Sequence, residues 1–205
     1  MIRFVIALMG LLTLAACGAE PKWATDAEVA KAHYVHNAPP SITLYSVIST
    51  RDRSGAHSGL LINGRERIMF DPAGTWKHPR LPERNDVHFG MTTQMVNYYI
   101  DYHARETFDV VEQTIEVPLA VAEMVAARAK AYGAVNKAQC ARAISAVLNG
   151  VPGFEGLGST WFPAKLMDNF GKLPNVKSRT ITDDDADNNH GVLMIQTKAE
   201  YKHGE

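Results

Sequence analysis

The sequence predicts an α+β domain, and three observations carry that prediction. Runs rich in β-branched residues crowd into residues 41–70. Three later stretches carry helix start and stop signals: Thr92 onward, Pro118 to Gly133, and Asn136 to Gly150. Asn63-Gly64 joins two apolar-bearing runs, the strongest short-range hairpin signal.

Residues 1–16 stand outside this fold. Arg3 gives a positive start, and Phe4 to Leu12 form an apolar run short of the roughly 20 residues a membrane span needs. Ala15 and Ala16 are the small residues that precede a signal-peptide cut. Leu14-Ala15-Ala16-Cys17 resembles the lipobox of bacterial lipoproteins. That resemblance implies a diacylglyceryl group on the Cys17 sulfur, cleavage before it, and N-acylation. Each buried CH₂ is worth about 0.8 kcal/mol, so several chains anchor a protein without a spanning helix. Gly18 rather than Asp follows the cysteine, which by enteric sorting rules favours the periplasmic face of the outer membrane. The plainer alternative is an ordinary secretory signal with a chance cysteine.

Residues 17–40 mix charge, alanine and Asn37-Ala38-Pro39-Pro40, and read as a lipidated N-terminus and tether. Residues 41–205 form one domain, long enough for a sizeable core. The formal net charge of −1 gives no broad basic field for nucleic acid. With Cys17 acylated, Cys140 has no partner, which excludes a disulfide scaffold. The body of the chain has no run apolar enough for a span, no repeat and no glycine-rich phosphate loop.

Within the domain, residues 41–49 read as a first strand, and residues 57–62 and 65–70 as a hairpin around Asn63-Gly64. Pro72 closes the second arm, since proline cannot continue a ladder. Residues 74–91, broken by Gly74, Pro79, Pro82 and Gly90, read as a long loop. Thr92 caps a helix to about Arg105, with Met95, Tyr98, Tyr99 and Tyr102 on one side, packed in the core or lining a groove. Residues 108–117 alternate like a strand. Pro118 opens a helix stopped by Gly133, and Asn136 caps another over about 137–148. Pro163 opens a short helix ending at Gly171, and residues 176–182 and 191–197 read as late strands.

Cys140 then falls in the first turn of a helix, where free N–H groups and the dipole favour an anion. A thiol placed there, ordinarily near pKa ~8.5, becomes a better nucleophile at neutral pH. His57 beside the hairpin is the candidate base, and Asp71 at the end of the partner arm is the candidate orienter of its imidazole. The hairpin register decides whether they meet. A two-residue Asn63-Gly64 turn sets Phe70 opposite His57 and sends Asp71 to the other face. A three-residue loop with Gly64 left-handed sets Met69 opposite His57 and brings Asp71 to the same face.

The order His57 in Ala56-His57-Ser58-Gly59, Asp71 in Phe70-Asp71-Pro72, then Cys140 in Gln139-Cys140-Ala141 resembles circularly permuted papain-like hydrolases. That group includes NlpC-type and lecithin–retinol acyltransferase-like proteins. Phe162-Pro163-Ala164-Lys165-Leu166 looks like the proline-started helix that often follows in them, so the resemblance spans about residues 41–170. It implies an antiparallel sheet with a bundle of helices, and a thiol hydrolase or acyltransferase acting on cell-wall peptides, other amides or lipid esters. The chain lacks the Asn that many relatives carry before the cysteine, and it inserts helical residues 92–132 between Asp71 and Cys140.

Each residue also has a plainer role: Cys140 as a small buried hydrophobe, His57 as a turn histidine, Asp71 as a turn starter. No cofactor or metal is expected. His78, His88 and His103 lack zinc-ligand spacing. The acidic run 183–189 lacks the glycine and terminal glutamate of an EF-hand. The alternative to an enzyme is a non-catalytic envelope lipoprotein that binds or scaffolds.

Overall fold

A computed structural model describes residues 19–199; Cys17 and its signal segment lie outside the described residues. The fold is α+β, built on a seven-stranded antiparallel sheet. The strands are β1 (Ser41–Ser49), β2 (Gly55–Asn63), β3 (Arg67–Phe70), β4 (Glu83–Arg84), β5 (Val87–Phe89), β6 (Phe108–Glu116) and β7 (Lys177–Ile181), in the order β4-β5-β3-β2-β1-β6-β7. Six helices are described: α1 (Asp26–Lys31), α2 (Thr93–His103), α3 (Leu119–Tyr132), α4 (Cys140–Leu148), α5 (Pro163–Phe170) and α6 (Asn189–Lys198).

The inner strand β1 is buried along nearly its whole length because helices cover both sheet faces. On one face Ile42, Leu44, Leu60, Ile62 and Phe70 pack with α3, α4 and α5 through residues such as Val125, Ile144 and Leu166. On the other, Tyr45, Leu61 and Met69 meet Trp76 and the α2 residues Met95 and Tyr99. Truncating one such buried aliphatic side chain to alanine costs about 2–5 kcal/mol.

The Asn63-Gly64 hairpin departs from both expected registers. Asn63 stays in β2 opposite Arg67, and the connection is Gly64-Arg65-Glu66. Three contacts impose this. The Asn63 amide donates to the carbonyls of Ala38 and Pro39, the Arg65 N–H donates to Glu123 of α3 at 2.8 Å, and Glu66 pairs with Lys130.

Three further boundaries differ. The expected loop 74–91 holds the β4–β5 hairpin, turned by Asn85 and Asp86 in left-handed conformations. The helix expected from residue 137 begins only at Cys140, because Ala138 is left-handed at φ 63° and the Val135 N–H is held by Asp86. The expected strand 191–197 is helix α6. Asn188 caps it through the Gly191 N–H, and Gln196 donates to the Tyr98 carbonyl and Asp101, docking it on α2.

Residues 19–40, read as a tether, lie against the sheet. Ala24 bonds the Glu83 carbonyl, the Arg67 N–H bonds Tyr34, and the Val117 N–H bonds Pro40. Thr25 and Glu28 close a capping box on α1.

Candidate active site

β2 carries His57, and its geometry changes there. Val47 pairs with His57 and Ile48 with Gly55, so Ala56 is an extra, unpaired residue. Such a bulge bends a strand and re-aims the neighbouring side chain. Beyond the bulge the β2–β3 register pairs Leu60 with Phe70. Continued by one residue, it sets Asp71 opposite Gly59, on the face that His57 shares.

The imidazole and the carboxylate meet there. His57 Nε2 donates to Asp71 Oδ1 at 2.6 Å, with the carboxylate fully buried and the imidazole 15 % exposed. Two glycines leave room for the carboxylate. A Cβ on Gly59 would collide with the Tyr99 hydroxyl and stand 3.2 Å from Asp71 Oδ1, and one on Gly74 would overlap Asp71 Oδ2.

Cys140 is the first residue of α4, which packs against β2 on the sheet's other face. The chain reaches it through left-handed Ala138, a conformation that costs an alanine roughly 1 kcal/mol. Cys140 is a free thiol, 5 % exposed, and the His57 ring and the backbone N–H groups of Ser58 and Ala141 lie close enough to act on its pKa. With Nε2 on Asp71, Nδ1 is the ring nitrogen left for the thiol. The structure therefore brings Cys140, His57 and Asp71 into one cluster, with His57 between the other two.

The electrostatics favour a charge-separated resting state. Burial alone would raise the Cys140 pKa, but the neighbouring His57 and the N–H groups of Ser58 and Ala141 outweigh it and lower it. Burial likewise opposes charge on His57, yet Asp71 and the Cys140 sulfur carry its pKa up to about 10. Asp71, despite the burial that would raise it, is held well below the usual carboxylate range by His57, with His103 and His88 adding to the effect. These shifts all favour the charged forms: the thiolate on Cys140, the imidazolium on His57 and the carboxylate on Asp71.

The sequence pattern alone did not single out the groups around the trio. Tyr99 donates its hydroxyl to Asp71 Oδ1 at 2.8 Å. His103 stacks on His57, with ring centroids 5.5 Å apart and planes 11° off parallel. Both stand on α2 one turn apart, an i, i+4 pair that the helix pattern contained. Trp161 lies over the Arg142 guanidinium of α4, and Pro163 abuts Gly55 of β2, so exposed Trp161 and Phe162 sit between the cysteine helix and the histidine strand.

The remaining candidates fall elsewhere. His78 bonds the Gln196 carbonyl, and His88 packs its ring against Trp76. Asp101, Asp183 and Asp185 bring carboxylate oxygens within 4.8 Å of one another, but Arg105 pairs with Asp101 and Asp185. A cavity of about 600 Å³ between α1 and residues 79–92 includes none of the trio. Among the described residues no helix is long and apolar enough to cross a membrane. No family model matches the chain, and no characterised protein or solved structure matches it significantly.

Proposed function

We propose that this chain is a lipid-anchored cell-envelope thiol hydrolase or acyltransferase, acting on amide or ester bonds through Cys140, His57 and Asp71. The observation that carries the reading is His57 bonded to Asp71 at 2.6 Å, with the Cys140 thiol near enough to the same ring for each to shift the other's pKa. A histidine on one strand, its carboxylate after the next, and a cysteine opening a later helix also support the resemblance to permuted papain-like hydrolases. The anchor rests on Leu14-Ala15-Ala16-Cys17, and Gly18 after the cysteine favours the periplasmic face of the outer membrane.

The chemistry follows from the charges. The Cys140 thiolate adds to the substrate carbonyl, and N–H groups at the start of α4 stabilise the oxyanion. His57 gives its proton to the leaving amine or alcohol as the tetrahedral adduct collapses to a Cys140 thioester. It then takes a proton from water or an acceptor alcohol, which attacks the thioester and frees the thiolate. Asp71 keeps the imidazole oriented throughout.

The near-complete burial of Cys140 favours a second reading, a non-catalytic envelope lipoprotein that binds or scaffolds. An electrophilic thiol probe on mature protein at pH 6–7 separates the two. The enzyme reading expects labelling that Cys140→Ala abolishes and His57→Ala cuts strongly. Reactivity no greater than in the denatured chain favours the scaffold.

A further inference from the structure

We propose that Tyr99 is a positioning residue that fixes the Asp71 carboxylate, and through it the His57 ring, onto Cys140. The inference deepens the thiol-hydrolase reading and rests on it. Asp71 Oδ1 accepts from both His57 Nε2 and the Tyr99 hydroxyl, while Asp71 Oδ2 has no hydrogen-bond partner among the described residues. Among the described residues, the Tyr99 hydroxyl is therefore the one side-chain donor besides His57 that holds that carboxylate. Without it, a buried acceptor would be steered by the flexible partner it is meant to steer.

Tyr99 is built for this task. Its side chain is fully buried, and its ring is braced by Tyr45 at 5.7 Å, by Trp76 edge-on at 5.4 Å and by His103 at 4.4 Å. The hydroxyl fills the volume left open by the missing side chain of Gly59. Burial and the Asp71 charge raise its pKa well above the ordinary phenol value, so it stays a neutral donor wherever the enzyme works. One turn on, His103 donates Nδ1–H to the Tyr99 carbonyl at 2.8 Å and lays its ring along His57. A single turn of α2 thus grips the carboxylate and one face of the imidazole. The groups facing Asp71 are His57 from β2, Tyr99 and His103 from α2, His88 from β5, and Asp86 from the β4–β5 turn.

A core tyrosine with no such role makes different predictions. Tyr99→Phe keeps the ring and removes only the donor. Tyr102→Phe is the control, because that hydroxyl pairs with Thr75 in the same cluster. Two readouts are taken on each full-length variant: the His57 titration midpoint by imidazole ¹⁵N NMR, and the pH profile of Cys140 alkylation by iodoacetamide.

Tyr99→Phe is expected to bring the His57 midpoint down toward the ordinary histidine range and to slow alkylation at pH 6.5 by about tenfold, the effect of losing one charged hydrogen bond. Tyr102→Phe should move neither. A His57 midpoint that stays or rises in Tyr99→Phe, or an equal response in Tyr102→Phe, overturns the proposal. The NMR arm decides the matter even if Cys140 proves unreactive, which would instead count against the hydrolase reading. Should Tyr99→Phe not fold, the parent still decides: a slowly exchanging, downfield Tyr99 hydroxyl proton is expected, and a rapidly exchanging one contradicts the bond.

Discussion

Asp71 lies one residue past the last β2–β3 pair, Leu60 with Phe70, and the missing side chain at Gly59 leaves room for its carboxylate to reach His57. The Ala56 bulge tilts His57 toward it from the other side. One glycine and one extra residue set the geometry of the candidate site.

Gly59→Ala tests that relationship. The added Cβ collides with the Tyr99 hydroxyl and crowds Asp71 Oδ1. Overpacking of a buried site typically costs about 1–3 kcal/mol. The variant should lose that much stability in urea titrations and most of its Cys140 reactivity at pH 7. Unchanged alkylation kinetics would mean that Asp71 does not hold His57 as described.

Asp71→Asn removes the charge and keeps the shape. His57 owes its raised pKa to Asp71 first and to Cys140 second. The His57 midpoint should therefore fall from about 10 to near or below the ordinary histidine value, and the thiolate lose its cation at pH 7. Alkylation at pH 7 should drop at least about tenfold, since each unit of pKa is a factor of ten in the charged population. A His57 midpoint that stays high would place the source of its charge elsewhere.

Stability should vary with pH in two opposite ways. Burial and the neighbouring His57 charge hold His103 at about 4, below its unfolded value near 6.5. The unfolded chain then binds the extra proton, and stability falls as pH drops from 6.5 toward 4, by about 3 kcal/mol at most from this group. Buried His88 and His78 are lowered as well and add to the same slope. His57 acts oppositely: its contribution is complete below 6.5 and is lost as pH rises through about 10. Urea midpoints should peak between these limits, and His103→Gln should flatten the acid side. An acid slope identical in parent and variant would refute the assignment.

Helix α6 supplies a fourth test, one of packing. Gln196 bonds the Tyr98 carbonyl and Asp101 from a buried position. Gln196→Ala removes both bonds and should cost about 1–3 kcal/mol, with faster amide exchange confined to α6 and the end of α2. A stability change within experimental error would show that the helix docks by other contacts.

Much of the architecture was legible in the chain because its cause is local. β1 matches the β-branched run at 41–49, Thr92 caps α2 through the Met95 N–H, and Pro163 opens α5. What escaped is set from far away. Asn63 is held in β2 by Ala38 and Pro39, and the turn beyond it is shaped by Glu123 and Lys130 of α3. No local rule reads those contacts. The Val192 to Ile195 run looks like a strand, yet the Asn188 cap and the docking of Gln196 make it a helix.

The candidate site divides along the same line. Cys140, His57 and Asp71 were visible as residue types in a suggestive order. Their meeting depends on a register that only the packed structure supplies. Tyr99 and His103 looked like core residues on an amphipathic helix, and nothing in α2 alone points to a carboxylate some 28 residues upstream in the chain.

The most direct test of the central claim is the pH dependence of Cys140 alkylation in the parent and in His57→Ala. The parent thiol should titrate below the ordinary value of 9.0, and His57→Ala should restore ordinary thiol behaviour. A parent thiol that titrates near 9.0, or a profile that His57→Ala leaves unchanged, would contradict the thiolate–imidazolium pair on which the proposed function stands.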